Sequence, residues 1–325
     1  MGPNGAGKTN LLESLYVGTQ GMSPRTRQDA NLVRHGAAGF RVAVAGAEEG
    51  GELRLEVRVF RGEGKEARVN GSVAPSLEWL RNQVATLVFT PDRLAVVKAS
   101  PAVRRSYVDR VLGRLYPARA AIPGAYAEAL GQRNAALRRV AAGLASRDAI
   151  TPWTERVAAL GGELTSARAS VVAALAPGFS ERAGELGLAS ARLEYEPSEV
   201  SADVLDALLE RDLARGLSGA GPQLDDVRFL AGAGDLRTHG SQGEQRVAVL
   251  AVLLAEAELL AARRAVPPLL LLDDVLSELD GDRRAALAGR LRSGGQTLVT
   301  AAARGALPGD PDLLLSVGLG RVTVD

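Results

Sequence analysis

The sequence predicts an α/β fold in which a parallel-sheet head is interrupted by a helical insert. Three observations carry that prediction. A glycine-rich phosphate loop opens directly onto a helix at residues 2–17. An apolar strand at 269–272 ends in two aspartates. Between them, from Pro101 to about Leu188, the apolar spacing is helical throughout. The chain has 325 residues, 46% hydrophobic and 24% charged, an ordinary globular composition and a length suited to about two domains.

The opening segment Gly2-Pro3-Asn4-Gly5-Ala6-Gly7-Lys8-Thr9 fits G-x-x-x-x-G-K-[ST]. Glycines let such a loop wrap inward, so that its N–H groups and the next helix's N-terminus point at phosphates. Lys8 would reach the β- and γ-phosphates and the Thr9 hydroxyl would coordinate Mg²⁺. A chance hit is the alternative, but only Lys8, Lys65 and Lys98 are lysines, and Leu11, Leu12, Leu15 and Tyr16 have the helical spacing the motif requires.

Residues 40–60 alternate apolar and polar and read as two strands joined by a turn at 46–52, followed by a tight hairpin turn at Asn70-Gly71. Ala85–Phe89 reads as a buried strand. The helical stretch is expected to break near Pro117, Pro123, Pro152 and Pro177. Strand patches return at Leu193–Tyr195 and Val227–Leu230, a long apolar helix spans 244–265, and Leu269–Leu272 and Thr297–Thr300 read as buried strands. The expected division is a head of residues 1–98 plus 189–325 and a helical arm of 99–188.

Composition excludes several chemistries. No cysteine is present and His35 and His239 are the only histidines, which argues against disulfide scaffolds, thiolate nucleophiles and His-rich metal centres. A net charge of +1 makes no case for nucleic acid by itself. Residues 98–140, however, hold nine basic against two acidic side chains, including Arg104, Arg105, Arg133, Arg138 and Arg139. A solvated helical face and phosphate binding explain that excess equally well. No apolar run approaches the roughly 18 residues of a membrane span and no charged-plus-apolar leader opens the chain, so the sequence reads as a cytoplasmic protein without a membrane partner.

Two further clusters turn the first motif into a constellation. Leu269–Leu272 followed by Asp273 and Asp274 is a Walker B pattern, with Asp273 placed to hold Mg²⁺ and Asp274 to orient or deprotonate the attacking water. Some thirty positions earlier, Ser241-Gln242-Gly243-Glu244-Gln245 opens the long helix, and Ser277-Glu278-Leu279-Asp280 follows Walker B. Taken singly, Ser241 reads as a plain helix cap.

This order of pieces resembles the ABC-type ATPase heads, with Ser241–Gln245 as the signature sequence and Ser277–Asp280 as the D-loop. Within that class the chain is similar to the RecF family of bacterial recombination-repair proteins. The likeness lies in Pro91-Asp92, in Val96–Asp109 (with Ala99 for a usual glycine), in Leu271–Asp280 including aspartate at 274, in Arg25-Thr26-Arg27-Gln28-Asp29, in Leu32–Gly36 and in Gln132-Arg133-Asn134. The resemblance implies an ABC-type P-loop ATPase head with an inserted helical arm domain, ATP and Mg²⁺ as cofactors, and a homodimer formed on ATP, each signature serine capping the other subunit's γ-phosphate. It further implies binding to single-stranded, double-stranded and gapped DNA, slow hydrolysis, and recombinase loading with RecO and RecR.

The chain also departs from the family pattern. Gln223 and Leu224 stand where His and Arg are usual, and no Q-loop glutamine near Thr90 and no switch histidine after Val299 is visible. The loop's leading strand is expected upstream of Met1, which is read as a GTG start codon in place of valine. Three function classes remain: an ATP-switched DNA clamp, which the sequence favours; a transporter's ATPase subunit, opposed by the long insert; and a non-catalytic scaffold for repair partners.

Overall fold

The structure is a computed structural model. It describes residues 1–325 except Arg27, Glu49, Gly50, Glu63, Ala233, Glu278, Ser293, Pro308, Leu319 and Asp325. The chain forms two compact units, one of residues 1–94 with 260–325 and one of residues 95–259.

The first unit begins with α1 (Lys8–Gln20), β1 (Gly39–Glu48), β2 (Gly51–Phe60), β3 (Gly64–Val69), β4 (Ser72–Val73), α2 (Leu77–Gln83) and β5 (Thr86–Phe89). Strands β1 to β4 make an antiparallel sheet in sequence order. Its turn between β3 and β4 carries Asn70 at φ 48° and Gly71 at φ 85°, the left-handed pair that a two-residue hairpin of matching twist requires. Leu55, Val57 and Val59 of β2 join Val17, Ala67, Val69 and Leu80 in one apolar cluster. Helix α1 approaches β1 so closely that a Cβ at Gly18 would lie 2.4 Å from a Val44 methyl.

The second unit holds α3 (Ala95–Lys98), α4 (Pro101–Leu115), α5 (Ile122–Ala141), α6 (Thr151–Glu185), β6 (Arg192–Glu196), α7 (Ala202–Ala207), α8 (Leu209–Arg215), β7 (Asp226–Ala231), β8 (Gly234–Asp235) and most of α9 (Gln242–Arg264). Strands β6, β7 and β8 form an antiparallel sheet. In this unit α6 lies against β6 and α4 against β7.

Pro123 and Pro152 start helices rather than break them, as suits a residue without an N–H at the first turn. Pro177 corrects the expected break, since α6 runs through it. Leu175, Phe179 and Ala183, all fully buried, hold that stretch by packing, which outweighs the hydrogen bond the proline removes.

The first unit ends with β9 (Leu269–Leu272), α10 (Gly281–Leu291), β10 (Thr297–Val299), β11 (Leu315–Gly318) and β12 (Arg321–Val324). Strands β10, β9 and β5 make a parallel sheet in that order, and β11 and β12 a hairpin. Met1 accepts a hydrogen bond from the Val317 N–H at 2.6 Å and donates one to the Leu315 carbonyl, which ties the start of the loop to β11. Leu270, Leu271 and Leu272 are almost wholly buried, which is why the strand is continuously apolar rather than alternating. Among the described residues, no helix is long and apolar enough to cross a membrane.

Candidate functional site

The phosphate loop lies at the start of α1. Gly5 and Gly7 hold φ values of 81° and 104°, a left-handed backbone that side chains resist, and Gly7 is the N-cap residue. No side chain caps this helix, so its first N–H groups remain for an anion. The Lys8 ammonium folds back over the loop, donating to the carbonyl of Gly2 at 2.6 Å and of Pro3 at 3.0 Å.

The end of β9 meets this loop. Register sets Leu272 of β9 beside Phe89 of β5 and Val299 of β10, so the next residue, Asp273, emerges between two strand ends. Its N–H donates to the Phe89 carbonyl at 2.9 Å. The Thr9 hydroxyl donates to Asp273 Oδ2 at 2.8 Å, joining residues 264 positions apart. One hydroxyl and one carboxylate are hard oxygen donors, and this set fits Mg²⁺ completed by phosphate oxygens and water.

Thr300 went unassigned on sequence grounds. It stands where no switch histidine was found, and its hydroxyl donates to Asp273 Oδ1 at 2.8 Å. Thr300 Oγ1 in turn accepts the Asp274 N–H at 2.9 Å. Asp274 itself is exposed and left-handed, at φ 50°.

The D-loop residues divide by role. Leu279 is buried, Ser277 is exposed and donates to the Asp274 carbonyl at 3.2 Å, and Asp280 caps α10 by accepting the Arg283 N–H at 2.9 Å. Glu278, like Arg27 of the family-like stretch, lies outside the described residues.

In the second unit, the signature segment is a capping box. The Ser241 N–H donates to Glu244 Oε2 at 2.8 Å and the Glu244 N–H to Ser241 Oγ at 3.2 Å. Ser241 and Gln242 are exposed, Gly243 is half-buried, and Gln245 is buried with its amide on the Leu236 carbonyl at 2.7 Å. The cap reading and the signature reading therefore describe one geometry: a serine held at an open helix start.

The five arginines offered for DNA separate by burial. Arg133 is wholly buried, paired with Asp212 at 2.7 Å and bonded to Ser218 and Thr154. Arg104 is buried on Asp226, while Asp109 pairs with Arg168 at 2.8 Å. The Arg104 and Arg133 side chains are almost wholly removed from solvent in these pairs. Arg105 is half-buried and donates to the Asp225 carbonyl at 2.7 Å. Arg138 and Arg139 are exposed, although Arg138 also donates to the Gly216 carbonyl at 3.2 Å.

The unusual Gln223 fits an internal role. It accepts from the Tyr126 hydroxyl and donates to the carbonyls of Ser218 and Ala220 at 3.3 and 2.9 Å. Leu224 beside it is exposed. Asp225 is fully buried and accepts from Arg168, Tyr195 and the Ser198 N–H. Burial raises the Tyr126 and Tyr195 hydroxyls above the ordinary tyrosine range, and the Asp225 charge adds to it.

A phosphate loop, a threonine on the Walker B aspartate and a parallel sheet behind them define an ABC-type ATPase head. Comparison with known proteins specifies it further. The model of the RecF/RecN/SMC N terminal domain family matches residues 1–313. The DNA replication and repair protein RecF of Myxococcus xanthus is 36% identical over 347 aligned residues, which take in 100% of this chain and 90% of that protein. The solved structure of the recombination mediator protein RecF with ATP in the RecFOR pathway is 25% identical, with a TM-score of 0.86 over 99% of this chain and 90% of the other. An Smc head bound to the C-winged helix domain of ScpA shares the fold, at 18% identity and a TM-score of 0.59 over 100% of this chain and 87% of the other. The chain belongs to the RecF family of DNA replication and repair proteins, and ATP is its nucleotide.

Proposed function

We propose that the chain is an ATP-switched DNA clamp: it binds DNA at gaps, dimerises on ATP, and hydrolyses ATP slowly to release. The observation that carries the reading is the 2.8 Å bond between Thr9 and Asp273, which joins the phosphate loop to Walker B. The residues Gly2 to Thr9 would hold the triphosphate, with Lys8 leaving its loop carbonyls for phosphate oxygens and Thr9 and Asp273 turning to the cation. Bound Mg²⁺ supplies neutralisation of phosphate charge. Asp274, exposed at the end of β9, would orient or deprotonate the attacking water. Ser241 and the N-terminus of α9 would offer a hydroxyl and N–H groups to the γ-phosphate held by a second copy.

On the DNA side, Arg138 and Arg139 are the exposed candidates and Arg105 a half-buried one. The RecF structure with ATP belongs to the RecFOR pathway, which supports RecO and RecR as partners here. The test is binding to a gapped duplex and to an intact one with ATP, with ADP and without nucleotide. ATP should raise affinity for the gapped duplex most, and Lys8→Met should remove the ATP effect while leaving nucleotide-free affinity unchanged. Equal affinities in all nucleotide states would contradict the switch.

A further inference from the structure

We propose that Thr300 is a positioning residue of the nucleotide site: its one hydroxyl sets the orientation of the Asp273 carboxylate and pins the turn that carries Asp274. The inference rests on the ATP–Mg²⁺ reading of Thr9 and Asp273.

The geometry begins with strand register. Val299 of β10 lies beside Leu272 of β9, and the Thr300 N–H donates to the Leu272 carbonyl at 3.0 Å, so Thr300 and Asp273 leave adjacent strands side by side. Both are nearly removed from solvent, at 8% and 4% exposure. The carboxylate then divides its work. Oδ2 faces the Thr9 hydroxyl at 2.8 Å and Oδ1 takes the Thr300 hydroxyl at 2.8 Å. The torsion that turns a carboxylate is broad, so without the second bond the group would be free to rock. With it, the oxygen on the Thr9 side is aimed where Thr9 also points. Outer partners of this kind orient metal-binding side chains and tune their affinity.

The backbone next along is left-handed: Asp274 sits at φ 50°, a region that residues with a Cβ seldom adopt. Its N–H is held by Thr300 Oγ1 at 2.9 Å, so the hydroxyl accepts from this turn while donating to the metal-binding carboxylate. One side chain thus couples the two Walker B aspartates, fixing the first in angle and the second in backbone conformation.

The test uses the full chain, a fluorescent ATP analogue and a titration with MgCl₂. Thr300→Val keeps the shape and removes the hydroxyl; Thr300→Ser keeps the hydroxyl; Thr300→Ala guards against a valine that disturbs packing. Valine and alanine should raise the half-saturating Mg²⁺ concentration by roughly tenfold or more. They should leave the affinity measured in EDTA unchanged, lower kcat more than they raise KM, and be rescued by serine. A Mg²⁺ half-saturation equal to the parent's in valine and alanine, or a serine variant that behaves like them, would overturn the proposal. A parent whose nucleotide affinity ignores Mg²⁺ would overturn the metal reading itself, and the role of Thr300 with it.

Discussion

The guanidinium of Arg104 lies on the Asp226 carboxylate with two parallel hydrogen bonds, 2.7 and 2.8 Å long, while only 3% of the arginine side chain is exposed. Its third nitrogen reaches the carbonyls of Val97 and Ala99 at 3.4 and 2.8 Å, so the residue ties the start of α4 to the start of β7. This member of the basic cluster at 98–140 thus holds two elements of the second unit together.

Arg104→Met should therefore act on stability. Removing one partner of a buried pair leaves Asp226 uncompensated, and since that carboxylate is partly solvated the expected loss is about 2–3 kcal/mol. Urea unfolding checks it, with the salt dependence of DNA binding unchanged. A variant of parental stability that bound DNA with a shallower salt slope would return Arg104 to the DNA surface.

Arg138 and Arg139 should behave in the opposite way. Both are exposed near the end of α5, and reversal of both to Glu should weaken binding to all DNA sequences alike. Two lost phosphate contacts flatten the slope of log K against log salt by about 1.8 for duplex DNA. An unchanged slope would show that these charges serve the protein alone.

How much of this was legible beforehand follows from the kind of information each residue carries. The phosphate loop and Walker B are set by residue type and order, because phosphates demand glycine, lysine and a hydroxyl at fixed spacing, and both were read directly. The Asn70-Gly71 turn was legible for the same reason. Pro177 misled, because propensity is local while the packing of Phe179 and Ala183 is not. Arg104 and Arg133 misled because a sequence displays charge without burial. Thr300 was invisible, since its role depends on the register between β9 and β10 and on nothing in its neighbours' identity.

Alkaline pH offers an independent check on the buried network around Asp225. Tyr126 and Tyr195 hold their protons more tightly folded than unfolded, because burial and the Asp225 charge disfavour the phenolates. Their contribution is complete below the ordinary tyrosine value of about 10 and is lost as pH rises beyond it. Tyr195→Phe should remove one of these protons and reduce the fall in unfolding free energy by up to about 1.4 kcal/mol per pH unit. Denaturant unfolding between pH 9 and 11, roughly spanning the tyrosine range, measures it. An identical slope in parent and variant would place the titration elsewhere.

In the proposed function, ATP joins two copies through the serine at the start of α9. Ser241 is exposed and held by its capping box with Glu244, so Ser241→Arg should leave ATP binding by the single chain intact while blocking a second chain's γ-phosphate from that helix end. Light scattering with and without ATP measures this most directly. The parent's mass should double with ATP and Mg²⁺ and stay single with ADP, and Ser241→Arg should stay single with either. A variant that dimerises on ATP as the parent does, or a parent that never dimerises, would contradict it.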